Sequence, residues 1–121
     1  MYSLLFIEDD DQIRLALSLA LEDEGYTVHQ AANGNEGLAA FAAASFDLVL
    51  LDLRLPDSDD LRVLSAMRQW SPATPIILMT AYGSPELLEQ ARLLGAFTVL
   101  DKPFEMNELA GIVDGALGRP A

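Results

Sequence analysis

The stretch DLVLLDL, Asp47 to Leu53, is strand-length, apolar on both faces, and carries an acid near its end. A strand with one wet face alternates polar and apolar residues. One without alternation is covered on both sides, the habit of a parallel sheet between two helical layers. Three further runs share this character: LLFI (Leu4 to Ile7), IILM (Ile76 to Met79) and FTVL (Phe97 to Leu100). YTVHQA, Tyr26 to Ala31, is more mixed and predicts an edge strand, with His29 opposite Val28 and read as a partly exposed structural histidine.

Helical patterns separate these runs. In DDQIRLALSLALEDEG, Ile13, Ala16, Leu17, Ala20 and Leu21 fall at the spacing of one buried face, and Gly25 suits the position just past a helix end. NGNEGLAAFAAAS is Ala-rich after a turn-like start, and DDLRVLSAMRQW places Leu61, Leu64 and Met67 on one side. Ser84 and Pro85 form an N-cap followed by proline at the first helical position, and Gly95 closes that helix. A last helix is expected from about Phe104 to Leu117, with Leu109, Ile112, Val113 and Leu117 inward and Gly111 and Gly115 weakening it. Five strands alternating with five helices predict an α/β fold: a doubly wound, five-stranded parallel sheet in a three-layer sandwich.

With 121 residues the chain holds one core, and 51% hydrophobic residues exclude disorder driven by low apolar content. Nineteen acids against seven Lys and Arg give a formal charge of -12, which argues against direct nucleic-acid binding and against docking on anionic lipid. There is no cysteine, so thiol catalysis, disulfides and sulfur-based zinc sites are excluded, in keeping with a reducing, cytoplasmic setting. The start MYSLLFIEDDD does not read as a signal peptide, and no apolar run approaches the roughly 18 residues of a membrane span.

Ligands of an open parallel sheet bind at the carboxyl ends of its strands. There the first strand delivers Glu8, Asp9, Asp10 and Asp11, the third Asp52, the fourth Thr80 and Ala81, and the fifth Lys102 before Pro103. Asp10 and Asp11 are explained by the stabilisation of acids at a helix N-terminus. Glu8 and Asp9 lie at the strand end itself and read as ligands. Clustered carboxylates call for a cation, and all-oxygen donors select Mg²⁺ or Mn²⁺. Asp52 and Lys102 also admit a structural ion pair, although desolvation offsets most of what such a pair contributes. Thr80 alone signals nothing; the four strand ends together do.

FIEDDDQIR, LVLLDLRLPDSD, PIILMTAYG and GAFTVLDKPF, in this order and on these strand ends, resemble the receiver domain of two-component response regulators. The likeness spans essentially the whole chain and implies the flavodoxin-like strand order 2-1-3-4-5, with residues 1–117 as the domain and 118–121 as a tail or the start of a linker. It implies that Asp52 accepts a phosphoryl group from a sensor histidine kinase or phosphotransfer protein. Glu8, Asp9, Asp52 and the Arg54 carbonyl would hold Mg²⁺, Thr80 and Lys102 would bind phosphoryl oxygens, and the Ala81 amide would add a donor. A cis bond between Lys102 and Pro103 is expected, and Arg54 and Tyr82 would tune water access. Such a domain signals and is no enzyme beyond its own phosphorylation and dephosphorylation. Its partners would include a second copy, through the fourth helix, fifth strand and fifth helix. Leu15 and Leu19, opposite the buried stripe and near Ser18 and Glu22, offer a face for the kinase.

Two positions depart from the family pattern. Asp60 stands where glycine closes the loop after the acceptor, and Val99 stands where the family carries the aromatic switch. Signalling is therefore expected through the loop Thr80 to Ser84 with Gly83 as pivot, or with Tyr82 in place of the ring. Rival readings fit less well. A dehalogenase-type phosphatase wants an acid where Arg54 stands, and a flavodoxin-type phosphate loop is incompatible with EDDD. An EF-hand in DSDDLRVLSAMR would end on Arg68 instead of Glu. A receiver fold serving only as an interaction module is opposed by the intact Asp52, Thr80 and Lys102.

Overall fold

The computed structural model describes residues 2–53, 61–81 and 83–118. Strands β1 (Ser3–Ile7), β2 (Thr27–Ala31), β3 (Leu48–Asp52), β4 (Ile76–Thr80) and β5 (Thr98–Asp101) alternate with helices α1 (Asp11–Asp23), α2 (Gly34–Ala43), α3 (Arg62–Trp70), α4 (Pro85–Leu93) and α5 (Met106–Leu117). All neighbouring strands pair in parallel, in the order β2-β1-β3-β4-β5. The mixed strand β2 is indeed an edge.

The sheet divides the apolar interior in two, because alternate residues of each strand point to opposite faces. Leu5, Ile7, Val49, Leu51, Ile76 and Leu78 meet Leu64, Met67 and Ala91 on one side. Leu4, Phe6, Leu48, Leu50, Ile77 and Met79 meet Leu21, Leu109 and Val113 on the other. Every residue of β3 and β4 is buried, as their unbroken apolar runs require.

Local chemistry sets the boundaries. Asp10 accepts from the Ile13 N–H, Asn33 from the Glu36 N–H and Ser84 from the Leu87 N–H, so α1, α2 and α4 all start on side-chain caps. Gly25 and Gly95, at φ 97 and 94, take the left-handed turns that close α1 and α4.

Two expectations need correction. Helix α5 begins at Met106, not Phe104: Glu105 is the extended residue before it, and Phe104 packs against the core from the preceding loop. The buried face of α1 is the expected one only toward the helix end. Leu17 and Leu21 pack into the core and Ser18 is buried beside them, whereas Ile13 is 40% exposed and Ala16 exposed. These two border an open cleft with Pro103 and Phe104 instead of the core. Leu15 and Leu19 are exposed as expected, but Ser18 is not beside them on the surface.

Candidate functional site

Strand register gathers the functional side chains. Glu8 follows β1 directly, and its N–H donates to the Ala31 carbonyl of β2 at 3.0 Å. Asp52 ends β3 opposite Met79, so Thr80 lies one residue further along on β4, opposite Asp101. The Lys102 N–H donates to the Thr80 carbonyl at 2.8 Å, prolonging the β4–β5 ladder and turning the lysine toward β3. The bond from Lys102 to Pro103 is cis, as expected.

Glu8, Asp52 and Thr80 are buried. The Lys102 ammonium spans the two carboxylates, donating to Glu8 Oε1 at 2.9 Å and to Asp52 Oδ2 at 3.0 Å. Asp9 completes a triad with Glu8 and Asp52 whose ligand oxygens all lie within 4.8 Å of one another. Two buried acids thus share one cation. Burial, followed by a hydrogen bond with Asp52, pushes the Glu8 carboxyl up to about 7 against the opposing pull of Lys102. Burial works to lower the Lys102 ammonium, but its contacts with Glu8 and Asp52 outweigh it and raise the group.

This donor set fits a hard divalent cation: three carboxylates, no nitrogen or sulfur ligand, and too little positive charge of their own. An open cleft of about 370 Å³ lies over Glu8, Asp9, Asp52, Ala81 and Lys102. Thr80 is buried at the adjoining end of β4. The structure therefore brings the expected Glu8, Asp9, Asp52, Thr80, Ala81 and Lys102 to one edge. Arg54, Asp60 and Tyr82 lie outside the described residues. Asp10 serves as the N-cap of α1 and Asp11 as its first residue, as their sequence context suggested.

The sequence reading passed over Arg14, whose guanidinium reaches the Glu8 carbonyl at 2.7 Å. Its spacing of six from Glu8 spans a loop and one helical turn, so no periodicity marks it. A second cleft, about 480 Å³ and apolar, adjoins the first: it shares Ile13, Ala81 and Lys102, and extends over Ala16, Leu17, Pro103 and Phe104.

Comparison with known proteins agrees with this geometry. Residues 4–114 match the family model for the response regulator receiver domain. The chain is 41% identical to regulatory protein AtoC of Escherichia coli over 94% of its own length and 25% of AtoC's. It is 36% identical to sporulation initiation phosphotransferase F of Bacillus subtilis, covering 91% of this chain and 89% of that protein. A CheY-like receiver domain protein from Methanospirillum hungatei superimposes with a TM-score of 0.95 at 30% identity, covering 98% of this chain and 94% of that one. The chain thus spans about a quarter of AtoC and most of the Bacillus protein.

Proposed function

The chain belongs to the response regulator receiver domain family, and from that premise we propose that Asp52 accepts a phosphoryl group from a phosphohistidine. The observation that carries this reading is the Lys102 ammonium held between Glu8 and Asp52, with Asp9 alongside, at the carboxyl edge of the sheet. An oxygen of Asp52 attacks phosphorus, the P–N bond breaks, and the electron pair stays on the departing imidazole. Phosphoryl transfer passes through a loose, in-line transition state, so the chain's task is placement and charge neutralisation.

Glu8, Asp9, Asp52 and the Arg54 carbonyl would hold Mg²⁺, with Mn²⁺ as a substitute. Such an ion would supply positive charge to offset the clustered carboxylates and the phosphoryl oxygens. Lys102 and Thr80 receive phosphoryl oxygens, and the Ala81 amide donates a further hydrogen bond. Because Ala81 is small and exposed, the cleft stays open to the incoming group. The same site then hydrolyses the acyl phosphate, so the domain catalyses its own phosphorylation and dephosphorylation.

The donor is a histidine kinase or phosphotransfer protein. The apolar cleft beside the acids supports this, since a helical partner carrying its phosphohistidine into the acidic cleft would lie across Ile13, Leu17 and Phe104. Leu93 and Phe97, 70% and 52% exposed at the α4–β5 edge, support a second copy docking there. Residues 1–117 form the signalling unit in this reading and 118–121 lead out of it. No helix among the described residues is long and apolar enough to cross a membrane, and the protein is proposed to work in the cytoplasm.

Intact-mass measurement after incubation with acetyl phosphate tests the proposal. One base-labile phosphoryl adduct is expected with Mg²⁺, none with a chelator, and none on Asp52→Asn. An adduct that survives the substitution means that another residue is the acceptor.

A further inference from the structure

Arg14 projects from the first turns of α1 back toward the strand edge. Its Nη1 donates to the Glu8 carbonyl oxygen at 2.7 Å, and its Nη2 donates to Asp11 Oδ1 at 2.5 Å. One rigid guanidinium thus ties the residue before the acidic loop to the residue after it. The side chain is 15% exposed, against 84% for Asp11. The contact with Glu8 is therefore the sheltered half of the clamp and the contact with Asp11 the solvated half. Asp9 lies between the two anchor points, exposed, and its carboxylate is placed by the backbone on either side of it.

We infer that Arg14 is a positioning residue for the Glu8 and Asp9 carboxylates, fixing the loop so that their oxygens stay close to Asp52 for a divalent cation. Glu8 has its other groups held elsewhere: its N–H by Ala31, Oε1 by Lys102, and Oε2 by the Asp10 N–H at 3.3 Å. Arg14 supplies the remaining restraint, on the carbonyl leading into Asp9. Groups that orient ligands without touching the ion commonly change affinity by roughly 10–100-fold.

Coulomb's law and positioning make opposite predictions here. Removing a positive charge beside an acidic site strengthens cation binding if long-range attraction dominates. It weakens binding if the guanidinium works by holding the loop. The sign of the change therefore separates the two effects.

The inference rests on the proposed cation site, and the experiment separates failure of one from failure of the other. Mn²⁺ dissociation constants would be measured by electron paramagnetic resonance of the free ion for wild type, Glu8→Gln, Arg14→Met and Arg14→Lys. Ion-free melting temperatures would be recorded in parallel. The expected result is about tenfold weaker binding in Arg14→Met, which keeps the apolar stem. Arg14→Lys should fall between Met and wild type, because an ammonium keeps the charge and cannot span both acceptors in the same way. Should Arg14→Met not fold, Arg14→Lys decides alone, with a loss of roughly twofold to fivefold expected. Unchanged or tighter binding in a folded Arg14 variant overturns the inference. Wild-type binding that Glu8→Gln leaves intact overturns the cation site itself.

Discussion

Lys102 neutralises two buried carboxylates with one ammonium, and this inequality governs how the site responds to substitution. Lys102→Ala leaves Glu8 and Asp52 facing each other without a cation, which is more costly than never having buried them. The variant is expected to melt well below wild type without divalent ions, and to recover most of the difference in saturating Mg²⁺. Its response to phosphorylation should be lost. Failure of Mg²⁺ to restore the fold would make the lysine a structural element. A second residue-scale outcome concerns Ser18, whose hydroxyl is buried with no hydrogen-bond partner among the described residues. Leaving such a group unsatisfied costs about 1 kcal/mol or more, so Ser18→Ala should stabilise the protein by about that amount in urea unfolding.

Among the elements, the loop from β4 to α4 is where the sequence places the switch, with Gly83 as its pivot. The structure adds a second property of Gly83, its close approach to its neighbours. A Cβ there would lie 3.2 Å from Thr80 Cγ2, 3.3 Å from Asp101 Oδ1 and 3.5 Å from Leu88 Cδ2. Gly83 thus lies against Thr80 and α4, while Val99 packs half-buried against the core as an ordinary apolar residue with a stiff χ1. A phosphoryl mimic, beryllofluoride with Mg²⁺, should therefore shift amide resonances of Ala81, Gly83 and Ser84 strongly and those around Val99 weakly. Val99→Tyr should leave phosphorylation intact and alter the coupling to partner binding. Equal shifts in both regions would remove the special role of the loop.

Element boundaries and strand order were legible because they rest on local signals: unbroken apolar runs in β3 and β4, caps at Ser84 and Asn33, glycines at 25 and 95. The helix-start reading of Asp10 and Asp11 was legible for the same reason. The face of α1 was legible only in part, since Leu17 and Leu21 face the core while Ile13 and Ala16, on the same helical stripe, border an open cleft. Arg14 was hidden because its acceptor is a backbone carbonyl, which leaves no trace in residue type. Arg68 is the same case at the other end of the sheet. It donates to the carbonyls of Ser71, Pro72, Thr74 and Gly95 at 2.8–3.2 Å, pinning the end of α3 to the turn before β5.

At the scale of the whole molecule, acid collected on one edge makes stability depend on pH and on ions together. The Glu8 carboxyl ionises near 7 in the folded chain, raised by burial and by Asp52 from an ordinary 4.5. Between those values the folded state holds a proton that the unfolded state has released. Ion-free stability therefore falls as pH rises from about 4.5 to 7, by up to about 3 kcal/mol from this group. The Lys102 contribution has the other window: present below its ordinary 10.5, it is lost only as pH climbs through the raised value. Thermal melts without divalent ions should show a decline from pH 5 to 7.5 that saturating Mg²⁺ flattens and Glu8→Gln abolishes. A flat ion-free profile would mean that Glu8 is ionised throughout.

The fold brings the ends of β1, β3, β4 and β5 to one edge, and the proposed function has a phosphoryl group pass there from nitrogen to a carboxylate oxygen. Phosphoramidate carries the same P–N bond as phosphohistidine without a partner protein. Tandem mass spectrometry of the chain after treatment with phosphoramidate and Mg²⁺ locates the group directly. The account predicts a single phosphorylated residue, Asp52. A phosphoryl group mapped to any other residue, or a chain left unmodified while Mg²⁺ is bound, would contradict it.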